Sequence, residues 1–124
     1  MANDWQGYAL AEGFTVDGSA IGVSFADGRR QLVNVSEGVE EYRLSSFVVK
    51  QAKAESISDL PLQVWKRNRS TAIVGFRIDD RGRLVGEAWV PKLGMTAEEF
   101  QLTVRTVAAE CDRWEFILTG RDNE

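Results

Sequence analysis

Gly94-Met-Thr-Ala-Glu-Glu-Phe-Gln-Leu-Thr-Val-Arg-Thr-Val-Ala-Ala-Glu-Cys-Asp-Arg-Trp-Glu-Phe-Ile-Leu-Thr-Gly-Arg-Asp122 decides the fold. The Thr96 hydroxyl is placed to accept a hydrogen bond from the Glu99 amide, and Glu99 to reach back, which makes a capping box. Met95 before the cap and Phe100 inside it have the spacing of a hydrophobic staple. Phe100, Val104, Val107, Cys111 and Trp114 then recur at steps of four and three. That is one apolar stripe along a helix of about four to five turns. A stripe of this kind requires a flat apolar partner, and the residues upstream supply strands. Phe116–Thr119 reads either as a last short strand or as a segment tucked under the sheet.

Two hairpins form the partner. In the first, Ile21, Val23 and Phe25 alternate, Ala26-Asp27-Gly28 turns, and Val33 and Val35 alternate. A two-residue turn separates Val33 from Ile21. A three-residue turn with Gly28 in a left-handed bulge pairs Phe25 with Arg29 and gathers all five apolar residues on one face. The second register is the one expected, because a one-residue slip moves the apolar set of the second strand to solvent. The second hairpin, Ile73–Val90, turns at Asp80-Arg81-Gly82 in the same way and pairs Asp79 with Arg83. Val74, Phe76, Ile78, Leu84, Ala88 and Val90 then share the core face. Ile73, Arg77, Val85, Glu87 and Trp89 share the opposite one.

Between the hairpins, Glu41–Lys50 reads as a strand with Tyr42, Leu44 and Val48 on one face and Phe47 and Val49 on the other. Gln51–Ile57 reads as a loop. Ser58-Asp59 caps a short helix with Pro61 in its first turn and Asn68 as its stop. At the front, Asp4–Glu12 reads as a short helix ending at Gly13, with an extended Tyr8–Val16 as the competing reading. The order is α-β-β-β-α-β-β-α. The fold class expected is α+β, a mostly antiparallel five-stranded sheet packed by helices on one face.

At 124 residues the chain is expected to be one domain, residues 1–124, with one core. No apolar run approaches the roughly 20 residues of a membrane span, and the start lacks the regions of a secretory signal. A lone cysteine and a net charge of -4 fit a cytoplasmic protein and argue against nucleic acid as a partner. The absence of histidine removes the commonest general base and the commonest transition-metal ligand. Cys111 lies on the buried stripe and reads as a core thiol. Asp79/Asp80 serve a turn, and Glu98/Glu99 a helix first turn. Lys66, Arg67 and Arg69 sit at a helix C-terminus, where cations offset the dipole. No catalytic residue, metal site or cofactor emerges.

Three stretches, in this order, resemble the type III secretion chaperone superfamily and within it the YbjN-like branch. The first is Asp27-Gly28-Arg29-Arg30-Gln31-Leu32-Val33-Asn34-Val35. The second is Leu62-Gln-Val-Trp-Lys-Arg-Asn68 followed by Ile78-Asp79-Asp80-Arg81-Gly82-Arg83-Leu84. The third is Met95–Phe100 with Val107–Asp112 and Leu118–Asp122. The resemblance implies a small cytoplasmic protein, a homodimer, that binds another protein and catalyses nothing. It places the dimer contact around the short helix, at Leu62 and Trp65. The residues themselves add a candidate partner surface. Leu32, Ile73, Val85 and Trp89 point away from the core strands' apolar face, and Leu102 lies nearly opposite Phe100 on the long helix. The competing reading of that surface is that Trp5 and Tyr8 fold over it. The expectation is a non-enzymatic, chaperone-like or regulatory module that holds a partner segment. The alternative is a small-ligand sensor with a pocket between sheet and helices.

Overall fold

Thr96 caps the long helix, but no bond from its amide back to the Glu99 side chain completes the expected box. The Glu99 amide donates to the Thr96 hydroxyl at 3.1 Å, and the Phe100 amide to the Thr96 carbonyl at 3.0 Å. The computed structural model describes residues 5–119. Their elements, in chain order, are α1 (Trp5–Tyr8), β1 (Phe14–Asp17), β2 (Ala20–Ser24), β3 (Arg30–Glu37) and β4 (Glu41–Val49). They continue as α2 (Gln51–Glu55), α3 (Leu60–Asn68), β5 (Gly75–Ile78), β6 (Leu84–Pro91) and α4 (Ala97–Thr119). The strands form one antiparallel sheet in the order β1-β2-β3-β4-β6-β5. The stripe of α4 lies across β3, β4 and β6, and Phe100, Val104, Val107 and Cys111 are wholly buried there.

Both hairpins adopt the three-residue register. The Phe25 and Asp79 amides each donate to the carbonyl of Arg29 and Arg83 at 2.8 Å. Gly28 and Gly82 take φ of 91° and 78°, a left-handed conformation that an L side chain resists. Ile21 therefore faces Val33 and Val23 faces Gln31. The Asp79 carboxylate closes the second turn. It accepts from the Arg83 guanidinium at 2.9 Å and from the Arg83 and Arg81 amides. Burial pushes this carboxyl's pKa up. The Arg83 amide, the Arg83 guanidinium and the Arg81 amide outweigh that, and the net value falls below 3.8. A depressed folded value means that stabilisation is complete above the unfolded value and is lost as pH falls through the folded one. Asp79→Asn should therefore be less stable than wild type at neutral pH. The gap should narrow in urea titrations as pH falls through the folded value. A gap that persists in acid would show that the carboxylate charge is not what holds the turn.

Several elements depart from expectation. The sheet has six strands, because Phe14–Asp17 pairs with β2 as an edge strand. Two apolar residues in four give an alternation too short to read, and a short edge strand is a common way to blunt pairing. The front helix is confined to Trp5–Tyr8, and position 4 of its expected span lies outside the described residues. Gln51–Glu55 is a helix and not part of a loop. Its residues are good helix formers, but only Ala54 is buried, so no stripe announces it. Phe116–Thr119 continues α4 and forms no strand. Asp59 precedes α3 with φ of 57° and no side-chain cap bond. Asn68 does not stop α3 by a left-handed turn. Its side-chain amide takes both backbone groups of Phe76, donating to the carbonyl at 2.9 Å and accepting from the amide at 2.7 Å. That contact occupies the middle of the β5 edge. Val49 was expected to face away from the core, but a bulge between Phe47 and Val49 brings it opposite Leu84 and buries it. Ile78 was expected in the core and is 38% exposed. It sits beside the turn at the sheet edge, flanked on one side only by β6.

Candidate surface for a protein partner

Every helix that touches the sheet does so on the face covered by α4. α1 packs on α4, with Tyr8 tilted 5.5 Å from the Phe100 ring and its carbonyl accepting from Gln101. Trp5–Tyr8 therefore lies on the helical side and does not fold over the other face. Arg67 of α3 pairs with Glu110 and lies 4.9 Å from the Trp114 ring, which docks α3 beside the end of α4. Arg69 stacks on Trp65 at 5.0 Å. The basic cluster thus has packing roles within the helical layer.

Among the described residues, the opposite, outer face of the sheet carries no helix. Strand register sets its rows. Ser36, Arg43 and Trp89 lie in line across β3, β4 and β6. Phe47, Val85 and Arg77 form another row, and continuing the β3–β4 register brings Leu32 beside Phe47. Trp89 is 56% exposed, Leu32 49% and Phe47 44%. Arg43 lies 4.3 Å above the Trp89 ring, and Arg83 lies 4.4 Å from the Phe47 ring. The Trp89 indole N–H donates to Glu87 at 3.3 Å, and Glu87 accepts from Arg77 at 3.3 Å.

Of the residues expected to form one patch, only Leu32 and Trp89 share this surface. Val85 is on it but is 4% exposed, so it offers no contact area. Its short side chain stands among four taller ones, and the contacts just described join them in two pairs, Arg83 with Phe47 and Arg77 with Glu87. Ile73 belongs to the helical side. It lines a cleft of about 340 Å³ with Arg67, Thr106 and Glu110. Leu102 is exposed on α4, on that same side of the sheet. Phe47 joins the surface although only strand alternation hinted at it. Leu62 and Trp65 are exposed together on α3, opposite its buried Leu60 and Val64.

No group of three or more metal-ligating side chains occurs among the described residues. Burial pushes the Cys111 thiol up to about 12, against the opposing backbone hydrogen bond from Gly86. A thiol in that state is not a nucleophile. Among the described residues no helix is long and apolar enough to cross a membrane. The layer between sheet and α4 is filled by fully buried side chains.

The family model YbjN, whose description reads "Putative bacterial sensory transduction regulator", matches residues 2–116. The chain belongs to the YbjN family. No curated protein matches it. Among solved structures, a chain of the ExsC–ExsE complex is similar at a TM-score of 0.61 and 17% identity, over 92% of this chain and 87% of that one. A chain of the heterodimeric ExoU–SpcU complex, from the type III secretion system of Pseudomonas aeruginosa, is similar at 0.52 and 19% identity, over 82% and 84%. At such identities the likeness is one of fold. It bears out the α+β class expected of the sheet.

Proposed function

We propose that this YbjN-family chain is a cytoplasmic, non-catalytic module that binds a segment of another protein, in a chaperone-like or regulatory role. The observation that carries the proposal is the helix-free outer face, where Trp89, Phe47 and Leu32 are exposed on a rigid sheet. Exposed aromatic and aliphatic side chains clustered on one face are the usual mark of a protein contact. That both structural neighbours are complexes of two proteins supports the same reading. Strand addition, where it contributes, is directed to β1, because Asn68 already occupies the centre of the β5 edge. The exposed pair Leu62 and Trp65 on α3 serves as the contact between two copies.

Capture from the native host tests this. The wild-type chain should retain a defined partner, and a Trp89→Asp variant with an unchanged circular dichroism spectrum and urea midpoint should lose it. Retention of the same partner by the folded variant would remove the outer face from the function. Light scattering on the same preparations should give the mass of two chains, and a monomer would remove the role assigned to Leu62 and Trp65.

A further inference from the structure

The two most exposed large apolar side chains among the described residues stand side by side. Val39 is 90% exposed and Leu93 93%. Val39 sits in the β3–β4 turn and Leu93 in the connection from β6 to α4. The Lys92 amide donates to the Glu40 carbonyl at 2.9 Å and ties the two loops together. The turn is closed by the Gly38 amide on the Glu41 carbonyl at 2.8 Å, and the connection by the Met95 amide on the Lys92 carbonyl at 3.1 Å. Solvent-facing turns favour glycine, asparagine, aspartate and serine, so nothing local requires valine or leucine here. Folding gains little from either side chain, and both are held in place at little further entropic cost to a partner.

The charge around the pair is almost all of one sign. Glu37, Glu40, Glu41, Glu98 and Glu99 come from the elements that meet at this end of the sheet, and Asp17 closes β1 at the same end. Lys92 is the cation among them, and it is paired with Glu37. The other five carboxylates make no ion pair among the described residues. Arg43 is the next cation, two residues along β4. Its guanidinium lies on the Trp89 ring, whereas the Glu41 carboxylate bends back to the turn and fills the place that a Cβ on Gly38 would take. With Arg43 counted, six carboxylates still face two cations.

We propose that this end of the sheet is a second contact for the partner protein, and that it takes a basic segment in which lysines or arginines flank apolar side chains that cover Val39 and Leu93. The inference rests on the protein-binding reading above and adds to the outer face a surface with its own chemistry. The apolar pair supplies the area to be buried, and the carboxylates around it select the sign of the partner and speed its approach. A bound metal ion leaves the apolar pair unexplained, and no three carboxylates converge to hold one among the described residues. A bilayer surface fits less well, because the leaflets that attract peripheral proteins are anionic. A second copy fits less well again, because a two-fold pairing of this end sets carboxylates against carboxylates.

Fluorescence anisotropy with two labelled synthetic peptides tests the assignment, one alternating lysine pairs with leucines and the other its glutamate-for-lysine counterpart. The lysine peptide should bind wild type at least about tenfold tighter than the glutamate peptide. Its affinity should fall about tenfold between about 50 and 300 mM salt. Val39→Ser with Leu93→Ser should keep the wild-type urea midpoint and weaken the lysine peptide about tenfold or more. Glu40→Lys with Glu41→Lys should weaken it as much. Glu55→Lys, a charge reversal on α2 at the opposite end of β4, should leave binding unchanged. Vesicles of phosphatidylcholine and phosphatidylserine should not sediment the protein. Equal affinity for the two peptides, no binding of the lysine peptide, indifference to the paired serine substitutions, an equal loss in Glu55→Lys, or sedimentation with vesicles would each overturn the assignment. The host partner separates this failure from failure of the outer-face reading. If Trp89→Asp loses that partner while the paired serine variant keeps it, the outer face stands and the second contact falls. If the serine variant loses it while Trp89→Asp keeps it, the reverse holds. If both variants keep it, both fall.

Discussion

Phe100→Ala should lower folding stability by about 3–5 kcal/mol, read from urea midpoints at unchanged slope. The side chain is fully buried at the first turn of α4, where three elements meet. Tyr8 of α1 tilts against its ring at 5.5 Å, and Tyr42 of β4 meets it edge-on at 5.7 Å. Truncation removes the transfer free energy of the ring, leaves a cavity between two aromatic walls, and takes away the surface on which α1 rests. Leu102→Ala is the control. It lies two residues along the same helix but is exposed, so its effect should stay within about 0.5 kcal/mol. A loss below about 1 kcal/mol at Phe100 would mean that α4 is not anchored through its staple.

The same residue shows what kind of information a sequence holds. The cap at Thr96, the stripe on α4 and both hairpin registers were legible because each has one solution that buries its apolar set. Elements with no such set were not. Gln51–Glu55 buries one alanine, and Phe14–Asp17 shows two apolar residues, of which Val16 is exposed. The surface was half legible. Alternation along β3 and β6 put Leu32 and Trp89 on the outer face, because a strand's two faces follow from counting. Alternation also put Val85 there. Its burial depends on the height of side chains from β4 and β5, which no single strand records. Ile73 was grouped with Trp89 by carrying alternation back from Phe76, but β5 begins only at Gly75; Leu102 was grouped there because it lies nearly opposite Phe100 on the helix. Which side of the sheet they occupy follows from where α4 docks, and that is a tertiary fact. The stacking of Arg43 on Trp89 is of the same kind. It needs the β4–β6 register, which joins residues more than a third of the chain apart.

Gly86→Val should cost about 3 kcal/mol or more, since overpacking where helix and sheet touch forces the two layers apart. Gly86 lies on the inner face of β6, opposite Ser46 on β4 and Phe76 on β5. A Cβ built there would stand 2.4 Å from the Cys111 sulfur and 2.8 Å from the Phe76 ring. Neither neighbour has room to yield. The sulfur is on the fully buried stripe of α4, and the ring is held edge-on by Trp114 at 4.8 Å. The glycine is therefore what lets α4 settle onto the centre of the sheet, with Cys111 beside the Ser46 carbonyl at 3.7 Å. A double-mutant cycle isolates that contact. Cys111→Ala alone should destabilise modestly through lost packing, but in its background Gly86→Ala should cost less than it does in wild type. The coupling should fall in the range of about 0.5–3 kcal/mol expected for residues in contact. Full relief is not expected, because the Phe76 ring still opposes the new methyl group. Strict additivity would mean that the strain comes from Phe76 alone. In that case the cysteine is a filler in the helix stripe, and the helix-to-sheet spacing is set elsewhere along α4.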